Sequence, residues 1–286
     1  MYQLKNLIHR TAVPNDPQDN MKAAEGFLLL LLHAHILHAA TTIQSFLSQE
    51  LVLTTAEYII NNYVLLSADD NTSTADLVHL YAKEVLTLAL LWFGFHDAIK
   101  EGDGKRILRY WKFLLVVFKV GDRHNYAKEA VNLLLQYKYL LSPRKAAQLA
   151  WSRCVNTTGK VGGNIPCDLH LEHLNRTLKS ILSTRGSNIN AMSIIRAGQT
   201  VSAVHRICQV FEKQTLGKKN KSSDPYPSFE KDLKLVLSVL KDENVFVPLA
   251  RRCHASIKLK CGVIQECDTE KLLKKVQTTI DQLLYR

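Results

Sequence analysis

Glycine and proline are both scarce in this chain of 286 residues, at 12 and 7. So small a supply of turn formers argues against a many-turned all-β fold, a collagen-like repeat and a disordered chain. Long apolar runs are also missing. The best, at 26–40, is shorter than the roughly 20 residues a spanning helix needs and is interrupted by His33, His35 and His38. It reads as a buried core helix, and no membrane is expected. The first 18 residues have no continuous apolar core and carry Pro14 and Pro17, so no secretory signal is read there. The six cysteines are therefore expected as reduced thiols in an intracellular protein of the nucleus or cytoplasm.

Enzyme signatures are missing in the same way. No G-x-S-x-G, H-E-x-x-H or Rossmann fingerprint occurs. Gly159-Lys160-Val161-Gly162-Gly163-Asn164 lacks the spacer and the Lys-Ser/Thr pair of a P-loop and follows a helical pattern rather than a strand. A nucleotide enzyme is not expected, and no cofactor is implied.

What the chain has is helical periodicity and positive charge. Apolar positions recur at helical spacing over 21–49, 54–66, 74–99, 105–120, 125–141, 143–155, 168–183, 190–214, 229–241, 245–259 and 269–285. The expectation is an all-α fold of about eleven helices in an irregular multi-helix bundle, with no significant sheet. Ser73 or Thr74, Asp103, Ser142 before Pro143, and Ser228 are the natural caps. The polar loop at 67–73 divides N-terminal helices at 1–72 from a helical domain at 73–286, which holds a basic linker at 217–227.

The formal charge is +11. Residues 1–150 carry 15 Lys+Arg against 14 Asp+Glu, whereas 151–286 carry 22 against 12. The basic excess thus lies in the C-terminal half, an asymmetry that suits a polyanion such as DNA or RNA. Lys160, Arg176, Lys179, Arg185, Arg196 and Arg206 are the candidate phosphate contacts. The competing reading is a solvated helical surface whose charge serves solubility.

One segment concentrates chemistry-bearing side chains: Ile165-Pro166-Cys167-Asp168-Leu169-His170-Leu171-Glu172-His173-Leu174-Asn175-Arg176. On a helix, Cys167, His170 and His173 fall at i, i+3 and i+6, and zinc accepts both ligand types. A closed site needs a fourth ligand, which the sequence does not supply. The structural reading has Asp168 capping the helix through the amides two and three residues on, Glu172 pairing with Arg176, and Leu169, Leu174 and Leu178 docking inward. Cys253, His254, Cys261 and Cys267 lack zinc-knuckle spacing and read as buried thiols. His33, His35 and His38 read as core histidines.

Several of these blocks occur in a recognisable order. They are Gly102-Asp103-Gly104-Lys105-Arg106, Tyr110-Trp111-Lys112-Phe113-Leu114, Asn125-Tyr126-Ala127-x-Glu129-Ala130, Leu141-Ser142-Pro143-Arg144, Asn156-Thr157-x-Gly159, the 164–176 segment and Pro227-Ser228-Phe229-Glu230-Lys231-Asp232-Leu233. Over roughly residues 75–286 the chain resembles a eukaryotic, transposon-associated domain of unknown function, the DUF6589 type. The resemblance implies a transposon-derived protein whose longer relatives carry an upstream RNase H-like transposase core. It also implies that this chain is the helical C-terminal portion, a fragment or a shortened product. By that analogy alone Glu129 matches the last catalytic carboxylate, and metal-dependent phosphoryl transfer needs two or three carboxylates. The expected function is a helical module that binds nucleic acid and is not catalytic alone. The alternatives are a protein-interaction scaffold and a remnant of a metal-dependent transposase.

Overall fold

A computed structural model describes residues 8, 13–17, 19–44, 57–64, 76–184, 186, 189–215, 229–253 and 269–284. The described residues are mostly helical: α1 (Met21–Gln44), α2 (Leu77–Glu101), α3 (Gly104–Val120), α4 (His124–Leu135), α5 (Pro143–Trp151), α6 (Cys167–Ser183), α7 (Ala191–Thr215), α8 (Phe229–Asp242) and α9 (Thr269–Leu284). Two π-helical stretches, Ile60–Val64 and Gln136–Leu140, accompany them, and the latter continues α4. Two three-residue strands, β1 (Cys154–Asn156) and β2 (Asn164–Pro166), pair antiparallel. The all-α expectation is therefore correct, with one small exception.

That exception corrects the helix expected over 143–155. α5 stops at Trp151, and the chain pairs Cys154 with Pro166, Val155 with Ile165 and Asn156 with Asn164. A second correction falls at 245–259. Residues 245–253 form turns instead of a helix, because Pro248 has no amide to donate and Asn244 and Arg251 adopt positive φ, 45° and 63°. The linker at 217–227, the caps Ser73, Thr74 and Ser228, and His254, Cys261 and Cys267 lie outside the described residues, while Cys253, expected as a buried thiol, is exposed.

The chain divides into two compact units that interleave along the sequence. Unit 1 takes 1–96, 108–141 and 226–286; unit 2 takes 97–107 and 142–225. In unit 1, α1 packs against α8, and Leu30, Leu31, Ala34, Leu86, Val236 and Phe246 are fully buried. By length and composition α1 (over Met21–Ile43) and α2 could each cross a membrane. In α1 the apolar run also serves as core, since Phe27, Leu30, Leu31, Ala34, Ala39 and Ile43 are all buried. Burying one such side chain contributes about 1.5–3 kcal/mol.

Histidines share that core. His35 and His38 are buried, and both rings approach Phe246, with centroids at 6.1 and 5.5 Å. Tyr63 and His79 close on the same phenyl ring at 4.7 and 6.4 Å. His35 Nδ1 donates to the Leu31 carbonyl at 2.7 Å, whereas neither ring nitrogen of His38 has a hydrogen-bond partner among the described residues. Burial pushes the His35 imidazole down to about 4, against a weaker upward pull from the Leu31 bond. Burial, followed by the Lys241 charge, lowers His38 as well. The core reading is thereby supported for His35 and His38, since a neutral ring is what this apolar site stabilises, but His33 is exposed, a correction.

The start of α2 is fixed by a carboxylate that the sequence reading passed over. Asp76 Oδ1 accepts the amides of Val78 and His79 at 3.0 Å each, an N-cap. Its carboxylate also takes the Arg252 guanidinium at 3.0 and 2.6 Å and the Leu249 amide at 2.9 Å. Burial alone would raise Asp76; the bonds from Arg252, Leu249 and His79 outweigh it and hold the carboxyl below its usual range. One residue therefore caps a helix and pins the turn 176 positions away.

Candidate nucleic-acid interface

Unit 2 holds 16 Lys+Arg against 7 Asp+Glu, a net of +9 out of the chain's +11. Five of the six basic candidates are described, all lie in this unit, and all are exposed: Lys160, Arg176, Lys179, Arg196 and Arg206. Arg185 lies outside the described residues. No carboxylate pairs with any of the five among the described residues, and the Glu172–Arg176 pair does not form. Arg106, by contrast, is held by Asp97 and Glu101 at the end of α2.

The scaffold that presents them begins at the glycines. Asp103 Oδ1 accepts the Arg106 amide at 3.0 Å and caps α3 as expected. A Cβ on Gly104 would overlap the Ala150 carbonyl oxygen, so α3 and α5 approach more closely than any other residue permits. Ser142 precedes Pro143 at the first helical position of α5, again as expected. After α5 the hairpin turns through Gly159 and Gly162, at φ 68° and 70°. Asn156 organises the turn. Its Oδ1 accepts the amides of Thr158 and Gly159 at 3.1 and 2.8 Å, and its Nδ2 donates to the Lys160 carbonyl at 2.8 Å. Lys160 and the fully exposed Val161 project from the tip. On β2, Asn164 Nδ2 donates to the Lys100 carbonyl at 2.8 Å, which ties the hairpin to the end of α2.

α6 then starts one residue earlier than expected. Pro166 takes the cap position and Cys167 the first helical one, so Asp168 is not the N-cap. Its Oδ1 accepts only the next amide, that of Leu169, at 2.9 Å, and its charge remains at the positive end of the helix. α6 packs on α7, where Thr177 Oγ1 lies 3.0 Å from His205 Nδ1 and the His173 and His205 rings stack at 6.4 Å. Leu174 and Leu178 are half-buried, but Leu169 is exposed, a correction to the expected docking face. The N-terminus of α7 is a reciprocal cap. Asn190 Oδ1 accepts the Ser193 amide at 2.8 Å, and Ser193 Oγ accepts the Asn190 amide at 2.9 Å.

Two of the metal candidates make other contacts. The Cys167 thiol donates to the Ser152 carbonyl at 2.9 Å, and His173 faces His205. No group of three His, Cys, Asp or Glu side chains suited to a metal occurs among the described residues. Burial, with Cys167 beside it, pushes the Cys154 thiol up, away from thiolate chemistry. Glu129 stands exposed on α4 in unit 1. Of the other carboxylates, Asp97 near the end of α2 binds Arg106, and Asp103 caps α3.

Of the blocks read as a signature, those at 102–106, 142–144, 156–159 and 164–176 serve the architecture of unit 2, whereas those at 110–114, 125–130 and 229–233 belong to unit 1. A family model matches residues 3–223, more than three-quarters of the chain. The chain belongs to the DUF6589 family, a family of unknown function. The DUF6589 match reaches upstream of the expected start near residue 75, taking in α1, and ends before α8. No curated protein and no solved structure matches the chain.

α7 of this DUF6589 chain has one further property that sequence reading missed. Met192, Ile195, Ile207 and Val210 fall on one helical face with Arg196 and Arg206, and all six are exposed. Their spacing was legible, but the sequence alone does not say which side of a helix finds a partner.

Proposed function

We propose that this chain is a non-catalytic helical module that binds nucleic acid through the phosphate backbone, using the basic surface of unit 2. The observation that carries the reading is the charge: +9 in unit 2, with Lys160, Arg176, Lys179, Arg196 and Arg206 exposed and without a carboxylate partner among the described residues. Phosphate contact requires clustered cations and no base-reading motif, and so favours DNA and RNA without sequence preference. The motif resemblance supports a transposon-derived origin, and an intracellular setting, nucleus or cytoplasm, follows from that partner. Fluorescence anisotropy with labelled duplex DNA tests it. Changing the five cations to Gln should reduce affinity at least 100-fold, if each contact is worth about 1 kcal/mol. Changing five exposed unit 1 cations, Lys112, Arg109, Lys128, Lys138 and Lys234, should alter it far less.

A protein-interaction scaffold is the second reading, favoured by the apolar residues exposed on α7. Exposed side chains in a contiguous stripe are more typical of partner surfaces than of a bare solvated helix. The two readings separate in the same assay: Ile195→Ser with Ile207→Ser should leave DNA affinity unchanged if the cations act alone.

A further inference from the structure

Unit 1 contains a half-open cleft of about 460 Å³ between the start of α1, the 13–17 segment and α2. Its volume falls in the range of small-molecule sites, roughly 300–1,000 Å³. The wall is almost wholly apolar, formed chiefly by Val13, Pro14, Phe27, Leu28 and Trp92. Among the described lining residues a single ionisable side chain, Glu25, joins it. Glu25 Oε1 lies 2.8 Å from His96 Nδ1, one helical turn beyond Trp92, and the His96 and Trp92 rings are 6.1 Å apart. His96 thus lies against one oxygen of the carboxylate without a hydrogen bond at Nδ1 among the described residues, and a carboxylate can accept at both oxygens.

We propose that this cleft binds a small cationic amphiphile: an ammonium head at Glu25 and over the Trp92 ring, and an apolar body among Val13, Pro14, Phe27 and Leu28. Charge complementarity selects the head group. A carboxylate and the face of a tryptophan both attract an ammonium, and tryptophan is the ring that does so best. The apolar wall supplies affinity through area removed from water and has few groups that an anionic or strongly polar ligand could satisfy. The preference also runs against the protein's overall field. A chain of net charge +11 repels an ammonium and attracts a carboxylate at long range, so a local preference for the cation cannot come from the protein's net charge.

The test uses the full chain with octylammonium, octanol and octanoate as probes, each below its aggregation concentration, measured by isothermal calorimetry. The expected result is saturable one-site binding with octylammonium about tenfold tighter than octanol, and octanoate weakest. Glu25→Gln should weaken octylammonium several-fold, toward the affinity of octanol, while leaving octanol unchanged. Trp92→Leu keeps an apolar wall and should weaken octylammonium more than octanol. Circular dichroism melts confirm that each variant is folded. Absence of saturable binding to the unaltered chain, equal affinity for the three head groups, or an octylammonium affinity indifferent to Glu25→Gln would each overturn the proposal.

Discussion

Acid should destabilise unit 1 well before its carboxylates titrate. The His35 imidazole is pushed down to about 4 by burial, against an ordinary value of about 6.5 in the unfolded chain. Between those two values the unfolded state binds the proton and the folded state does not. Stability from His35 is therefore fully present above about pH 6.5 and is lost as pH falls toward 4. The difference corresponds to about 3 kcal/mol, a large share of the 5–15 kcal/mol that holds a typical domain together. His38 is lowered by burial and by Lys241, so its contribution has the same sign. Its two nitrogens have no hydrogen-bond partner among the described residues, so an apolar replacement of similar size removes two buried unsatisfied groups. Urea denaturation at pH 7.5, 6.5, 5.5 and 4.8 measures the effect. The unaltered chain should lose stability steadily below pH 6.5. His38→Leu should be no less stable than the parent at pH 7.5, and His35→Leu with His38→Leu should flatten the slope between pH 6.5 and 4.8. A stability independent of pH over that interval, or a slope unchanged in the double variant, would refute the assignment of these rings as neutral core groups.

Arg252→Ala leaves the buried Asp76 carboxylate without its counter-ion and should cost about 3–5 kcal/mol in urea denaturation. Because its bonds hold Asp76 below its usual range, that contribution should persist at pH 5 and disappear only as pH falls below about 4. Gly104→Ala, blocked by the Ala150 carbonyl, should lower the melting temperature of unit 2 with a cost of at least about 1–3 kcal/mol. Asp103→Ala should cost about 1 kcal/mol through the lost cap, whereas Asp168→Ala, acting only through the helix dipole, should cost a few tenths. A melting-temperature comparison of the two variants checks that order.

Helical periodicity made most of the fold legible. α3, α6, α7, α8 and α9 begin and end within a residue or two of their expected limits, because an amphipathic pattern closed by Asp103, Asn190 or a Gly-Asp break is local information. The misses are non-local. Three residues are too few for a strand to show a period, and β1 exists only because 164–166 returns alongside it. Nothing local in the sequence marks Asp76 out; its importance depends on Arg252, 176 positions away. The interleaving of the two units is equally invisible to a reading that expects domains to be contiguous. For the candidate interface, sequence found the cations but not their setting. The asymmetry between halves pointed to the C-terminal side, yet only the structure collects the excess into unit 2. The Cys167, His170 and His173 spacing lacks a fourth ligand, and the Cys167 thiol donates to the Ser152 carbonyl, a partner that spacing alone does not show.

The central claim is that unit 2 binds nucleic acid by neutralising phosphates, and the salt dependence of duplex binding tests it most directly. Each phosphate neutralised adds close to one unit to the slope of log affinity against log salt concentration. With Lys160, Arg176, Lys179, Arg196 and Arg206 engaged, the slope from 50 to 200 mM salt should be about −4 to −5, and each single change to Gln should make it shallower by about one. Affinity that does not vary with salt, no binding at low ionic strength, or a slope that is the same in all five variants would contradict the account.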